Sequence, residues 1–206
     1  VTKTSAMSLD VVPEYCTKPV VAFGCGNILL GDDGFGPAVA EKLHASDVVP
    51  AWATVIDAGT SVREFLFDIA LSEQRPSLIV VIDAVDAGRS LGEVFEISLD
   101  DIPAVKVPDY SLHQAPTSNL LRELRDHCGV EVVVIACQVG DIPDEVKMGL
   151  TPAVEDAVFC ATQLVKEKYL WRELSVKIDK RQEGVKNNAR NTGNSRSKQT
   201  GSDVLR

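Results

Sequence analysis

The chain predicts an α/β fold, a three-layer sandwich around a mostly parallel central sheet, and three observations carry that reading. Short apolar runs at Val20–Phe23, Leu78–Ile82 and Val130–Cys137 are too brief for core helices and suit strands buried on both faces. Segments with apolar residues at helical spacing lie between and after these runs. Polar groups then fall at the ends of the predicted strands or ahead of the helices: Asp33, Asp83 and His113.

Val20-Val21-Ala22-Phe23, ended by Gly24, is the first buried strand. Pro37 suits the first turn of a helix, and Val39, Ala40 and Leu43 recur at helical spacing behind it. Trp52–Ile56 alternates weakly toward a turn at Asp57-Ala58-Gly59-Thr60, where Gly59 either permits close backbone approach or a positive φ, or is a plain turn glycine. Positions 62, 65, 66, 69 and 70 form one apolar helix face. Leu78–Ile82 is the second buried strand, and Glu93–Ile97 alternates as a half-exposed edge strand should. Thr117 or Ser118 is expected to cap a helix carrying Leu120, Leu121 and Leu124. Val130–Cys137 is the third buried strand. Thr151-Pro152 opens a long helix with Thr as cap and Pro at the first position, and Val154, Ala157, Val158, Ala161, Leu164 and Val165 mark its inner face.

Length and composition narrow the class. At 206 residues and 45% apolar content, the chain supports one sizeable core. The expected organisation is an N-terminal arm over 1–18, a domain over 19–172 and a basic, disordered tail over 173–206. From Val176 onward eight Lys/Arg face Asp179, Glu183 and Asp203, a net +5 that leaves the rest of the chain at −14 within the overall −9. An acidic body argues against nucleic acid as a partner, since phosphate contacts need a basic face. No stretch reaches the ~18 continuous apolar residues of a membrane span, and Val1–Lys18 does not resemble a secretory signal. Five cysteines, odd in number and without a C-x-x-C pair, are expected to be reduced thiols in a cytoplasmic protein.

The motifs leave several chemistries open. Gly24-x-Gly26 after a strand suggests a phosphate-binding turn, yet position 29 is Leu rather than the third glycine, and acidic Asp32-Asp33 follows. Asp32-Asp33-Gly34 alone is a reasonable surface turn. Asp83, ending an apolar strand, must be compensated by a metal, a cation or backbone donors, and it can equally cap the next turn. His113 lies between Pro108 and Pro116 ahead of a helix, as a local hydrogen-bonding residue or as a ligand; His44 and His127 sit at helix ends. Cys25 paired with His113 is a conceivable nucleophile, though its place between glycines suits a small packed residue. There is no H-E-x-x-H and no G-x-S-x-G. Two carboxylates and an imidazole in one crevice can hold a divalent metal or perform acid–base chemistry.

Gly24-Cys25-Gly26-Asn27-Ile28-Leu29-Leu30-Gly31-Asp32-Asp33-Gly34-Phe35-Gly36-Pro37 resembles the opening of the hydrogenase maturation endopeptidases. The likeness continues in order through Asp57–Thr60, Ile82–Gly88, Leu91–Val94, Ser111-Leu112-His113-Gln114 and Gly149–Pro152, covering about Val20–Leu170. It implies a phosphorylase/hydrolase-like sandwich and an aspartic-type, nickel-dependent endopeptidase. Such an enzyme removes the C-terminal extension of a [NiFe]-hydrogenase large-subunit precursor after nickel insertion. It places nickel contacts on Asp33, Asp83 and His113, with the nickel carried by the precursor. Asp33 stands where some relatives carry Glu. The spacing is similar to the group serving coenzyme F420-reducing hydrogenases of methanogens. Two other classes compete: a metal-binding maturation chaperone without proteolysis, and a receiver-like domain with Asp83 as phosphoacceptor. Against the receiver, the acidic pair lies well past Phe23 and the nearest later lysine, Lys147, is far from Cys137.

Overall fold

A computed structural model describes residues 12–46, 49–101 and 114–171. The strands are β1 Val20–Cys25, β2 Ala53–Gly59, β3 Leu78–Val85, β4 Val94–Ile97 and β5 Glu131–Gln138. The helices are α1 Glu14–Thr17, α2 Phe35–Ala45, α3 Val62–Leu71, α4 Gln114–Asp126 and α5 Pro152–Val165, with a 3-10 turn over Gly31–Gly34 and a π turn over Lys166–Leu170. The strand order is β2-β1-β3-β5-β4, all parallel except β4, which runs antiparallel to β5 at the edge. The expected α/β sandwich is therefore the fold observed.

The three apolar runs form the middle of the sheet, and alternation divides their side chains between two helical layers. Val20 and Ala22 of β1, Val80 and Ile82 of β3, and Ile135 and Cys137 of β5 pack with Phe35, Val39 and Leu43 of α2 and Val154, Ala157 and Ala161 of α5. Val21, Phe23, Ile79, Val81 and Val134 point the other way, onto Leu66 and Ile69 of α3 and Leu121 and Leu124 of α4. Cys16 of α1 is buried in that second layer, and Tyr15 stacks edge-on to Phe65. Cys16 and Tyr15 thus join the α3/α4 layer.

β1 runs past Gly24 to Cys25 and β5 is shifted by one residue to Glu131–Gln138, and three further boundaries differ from the sequence expectation. β3 does not stop at Ile82 but continues to Val85, because Asp83, Ala84 and Val85 remain in register with Ala136, Cys137 and Gln138. β2 runs through Asp57 to Gly59, with a register shift at Gly24/Cys25, and the turn follows it. α4 starts at Gln114, so Thr117 and Ser118 lie inside the helix and do not cap it. Pro116 falls in the first turn, where its missing N–H costs no helical hydrogen bond. The remaining edge strand, β4, stands where alternation placed it.

Candidate active site

Chain direction creates the crevice. From β1 the chain turns to one side to make β2, then crosses to the other side to make β3, so the switch point lies between the carboxyl ends of β1 and β3. Ligands of open α/β sheets bind at that location. A cavity of about 490 Å³ opens there on the α3/α4 side, lined among others by Cys25, Gly26, Asp33, Gly59, Thr60, Asp83, Asp86, Arg89, Thr117 and Ser118.

Asp33 reaches the cavity through glycine packing. A Cβ at Gly24 would overlap the carbonyl of Gly36, and one at Gly36 would overlap the carbonyls of Cys25 and Ile82. The first turn of α2 is therefore pressed directly onto the strand ends. Gly26, at φ 127°, has no room for a Cβ against the carbonyl of Asp33. The Gly24-x-Gly26 pair thus serves close backbone approach. The Asn27 N–H donates to Asp33 Oδ2 at 2.7 Å, and Asn27 Oδ1 in turn accepts from the Leu29 N–H at 3.0 Å. The adjacent Asp32 faces away and accepts from both the N–H and the hydroxyl of Thr151. Two neighbouring aspartates have separate tasks, one toward the cavity and one toward α5.

Asp83 reaches the same cavity by strand parity. It shares a face with Ile79 and Val81 and sits beside Cys25, since Gly24 pairs with Ile82. Its Oδ1 accepts from the Ala84 N–H at 2.9 Å, and it is half-buried. His113 lies outside the described residues; its chain neighbour Gln114 opens α4, whose Thr117 and Ser118 are buried against the cavity. Among the described residues no group of three His, Cys, Asp or Glu side chains is arranged to hold a metal ion.

Cys25 is only 4% exposed. Burial first, then the charges of Asp83, Asp57 and Asp33, push its thiol well above the ordinary value. It is thus held as the protonated thiol, the wrong form for a nucleophile. Gly59 adopts φ 49°, so the positive φ is its reason for being glycine, and its carbonyl accepts from the Gly26 N–H at 2.9 Å.

Gln138 is the residue that sequence reasoning missed. Buried at the end of β5, its amide Nε2 donates to Asp86 Oδ1 (2.9 Å) and the Val139 carbonyl (2.6 Å). Its Oε1 accepts from the N–H groups of Ala87 (2.8 Å) and Arg89 (3.0 Å). The amide shapes the β3–β4 loop that rims the cavity. Its signal was the one read at Asp83: a polar residue closing an apolar strand. Arg89, stacked 3.9 Å over the Phe95 ring and bonded to Glu93 at 2.7 Å, completes that rim.

The family model for hydrogenase maturation protease matches residues 37–168. The chain belongs to the hydrogenase maturation proteases. A hydrogenase maturation protease homologue from Methanocaldococcus jannaschii is 37% identical over 150 residues, covering 72% of this chain and 94% of that protein. The coenzyme F420 hydrogenase subunit delta of Methanothermobacter thermautotrophicus is 35% identical, covering 71% and 91%. The solution structure of the endopeptidase HycI from Escherichia coli superposes with a TM-score of 0.58 at 31% identity, over 71% of this chain and 88% of that one. The protein is accordingly an endopeptidase of hydrogenase maturation, and the receiver reading falls. The antiparallel β4 and the position of Asp83 two residues inside β3 agree with that outcome. No helix among the described residues is long and apolar enough to cross a membrane.

Proposed function

We propose that this maturation protease removes the C-terminal extension of a [NiFe]-hydrogenase large-subunit precursor once nickel has been inserted, with Asp33, Asp83 and His113 reading the substrate-borne nickel. The observation that carries the reading is that Asp33 and Asp83 line one cavity at the β1/β3 switch point. Two oxygen donors there leave a hard, anionic edge for a metal presented by the precursor's own ligands. Recognition of that metal would fix the scissile bond beside the carboxylates, and proximity would supply much of the rate. Asp33 or Asp83 takes a proton from a water, which adds to the scissile carbonyl; the C–N bond then breaks and the proton passes to the leaving amine. A nickel-free precursor lacks the handle, so the gate discriminates by what is missing.

The likeness to the F420 hydrogenase delta subunit supports an F420-reducing hydrogenase of a methanogen as the substrate source. The five free cysteines favour action in the reducing cytoplasm. Incubation with nickel-loaded and nickel-free precursor, followed by mass spectrometry, tests the reading. Release of a C-terminal peptide from the loaded form alone supports it. Cleavage of both forms removes the nickel gate, and stable nickel uptake without cleavage favours the chaperone reading.

A further inference from the structure

Asp33 and Asp83 account for one end of the cavity of about 490 Å³, and strand register shows what lies beyond them. Asp83 pairs with Ala136 and Ala136 with Phe95, so these three form one row across the sheet. The next row inward is Val81, Val134 and Ile97. That inner row packs in the α3/α4 layer, and alternation turns Asp83 and Phe95 to the same side. Phe95, Ile97, Val134 and Leu121 of α4 all line the cavity. Leu121 and Val134 are almost fully buried, Phe95 and Ile97 half-buried. Beside the carboxylates, therefore, lies an apolar lobe. Neighbouring strands are about 4.8 Å apart, which puts Phe95 roughly 10 Å from Asp83 across the sheet. One wall of the lobe is fixed. The Arg89 guanidinium stacks 3.9 Å over the Phe95 ring and pairs with Glu93 at 2.7 Å, while the Arg89 N–H donates to Gln138 Oε1 at 3.0 Å. A wall already in place needs little ordering when the lobe is filled.

We propose that this lobe is a specificity subsite for a large aliphatic side chain of the substrate peptide, read by Phe95, Ile97, Leu121 and Val134. The inference rests on the proposed endopeptidase function and adds to it a side-chain requirement separate from nickel. Continuity selects the occupant, because a peptide whose scissile bond lies at Asp33 and Asp83 is already inside the same cavity. An extended chain advances about 3.3 Å per residue, so a side chain within about three residues of the bond reaches a wall roughly 10 Å away. An apolar lobe rewards the side chain that fills it and penalises a charge that finds no partner there.

The test compares the full-length protein with F95A, which enlarges the lobe, and I97F, which narrows it, on a nickel-loaded large-subunit precursor. The mass of the peptide released by the parent locates the cut. Each of the three residues on either side is then replaced in turn by Ala, Leu, Trp and Asp, with kcat/KM read by mass spectrometry and affinity by surface plasmon resonance. At one position the parent is expected to prefer Leu at least tenfold over Ala and Asp. There F95A should favour Trp and I97F should favour Ala, while preferences at the other five positions stay within about threefold. F95L, which keeps a large apolar wall, should keep the parent's order. Either size variant suffices, so loss of fold in one, seen by circular dichroism, leaves the other to decide. The same order in the parent and in every folded size variant overturns the proposal. So does a parent indifferent at all six positions, which would mean that the chain's own side chains fill the lobe. If the parent cuts no precursor, the endopeptidase reading fails, and a leucine scan of the precursor's C-terminal segment decides the lobe by affinity alone. Affinities that shift with F95A and I97F keep the subsite, and affinities that do not shift remove it.

Discussion

Asp32 and Thr151, 119 positions apart in the chain, are joined by two hydrogen bonds: the Thr151 N–H donates to Asp32 Oδ1 at 2.6 Å and its hydroxyl donates to Oδ2 at 2.9 Å. Thr151 stands at the N-cap of α5, yet its hydroxyl caps nothing within the helix. The carboxylate of Asp32 does that work from outside, pairing with an otherwise orphaned donor where the helix dipole favours negative charge. The contact fixes the first loop, and hence Asp33, against α5.

Removing this contact should act first on stability. Asp32→Ala loses two charge-assisted bonds and is expected to cost about 2 kcal/mol, against about 1 kcal/mol for Thr151→Val. In a double-mutant cycle by urea denaturation the two effects should be clearly non-additive. Additive losses would mean that the residues are not coupled.

Glycine replacement near Asp33 should be severe for a different reason. Gly26→Ala forces a Cβ into the Asp33 carbonyl at a φ of 127°, so a loss of about 3 kcal/mol, the upper end for overpacking, is expected together with impaired cleavage. Gly88→Ala is the control. Its φ is 68° but nothing lies within 4 Å of the added atom, so only the left-handed backbone cost of roughly 1 kcal/mol should appear. Thermal melts of both variants separate crowding from backbone strain.

That Asp33 and Asp83 would meet at one crevice was legible in the sequence, and the residues show why. Asp83 drew notice because an ionisable group after an apolar run needs compensation, by a ligand or by a local cap, and strand parity turns it to the cavity. The division of Asp32 from Asp33 was not legible: both look alike in a turn, and only a partner 119 positions away separates them. Thr117 and Ser118 looked like caps because hydroxyls favour that position. A helix starting at Gln114 instead buries them, which local propensity cannot report. Gln138 obeyed the same rule as Asp83 and was overlooked because it carries no charge.

Asp33→Asn and Asp83→Asn should each lower kcat at least 100-fold while leaving the melt nearly unchanged, the loss expected when a positioned acid–base group is neutralised. Single-turnover assays on the precursor would measure this directly. Asp33→Glu keeps the charge with a longer reach and is expected to retain part of the activity. Full activity in either Asn variant would remove that carboxylate from the chemistry.

Cys25 should be dispensable for the reaction. Burial and the surrounding aspartates hold it as a thiol, so Cys25→Ala is expected to cleave within a few-fold of the parent. Iodoacetamide on the folded protein at pH 8 should label exposed Cys160 before half-buried Cys128, and Cys25 only after unfolding. Because the folded thiol titrates above the unfolded one, its contribution to stability is complete below the ordinary thiol range and is lost as pH rises beyond it. Cys25→Ala should therefore lessen the fall in stability on the alkaline side.

Gln138 organises the loop between β3 and β4. Gln138→Leu preserves volume but removes every bond from the amide to Asp86, Val139, Ala87 and Arg89. The Ala87 and Arg89 amides should then exchange with solvent several-fold faster, since their acceptor is gone. Asp86 provides a second readout. The Gln138 amide is the first cause holding its carboxyl below the usual range, with the Gly88 N–H second. A carboxylate depressed in the folded state contributes stability above its unfolded pKa and loses it as pH falls through the folded one. Gln138→Leu should move the Asp86 titration upward and flatten the acid limb of the stability profile below about pH 4, the ordinary carboxylate range. Carboxyl chemical shifts followed against pH would show the change at Asp86 itself. An unmoved titration would mean that the loop is held by the backbone alone.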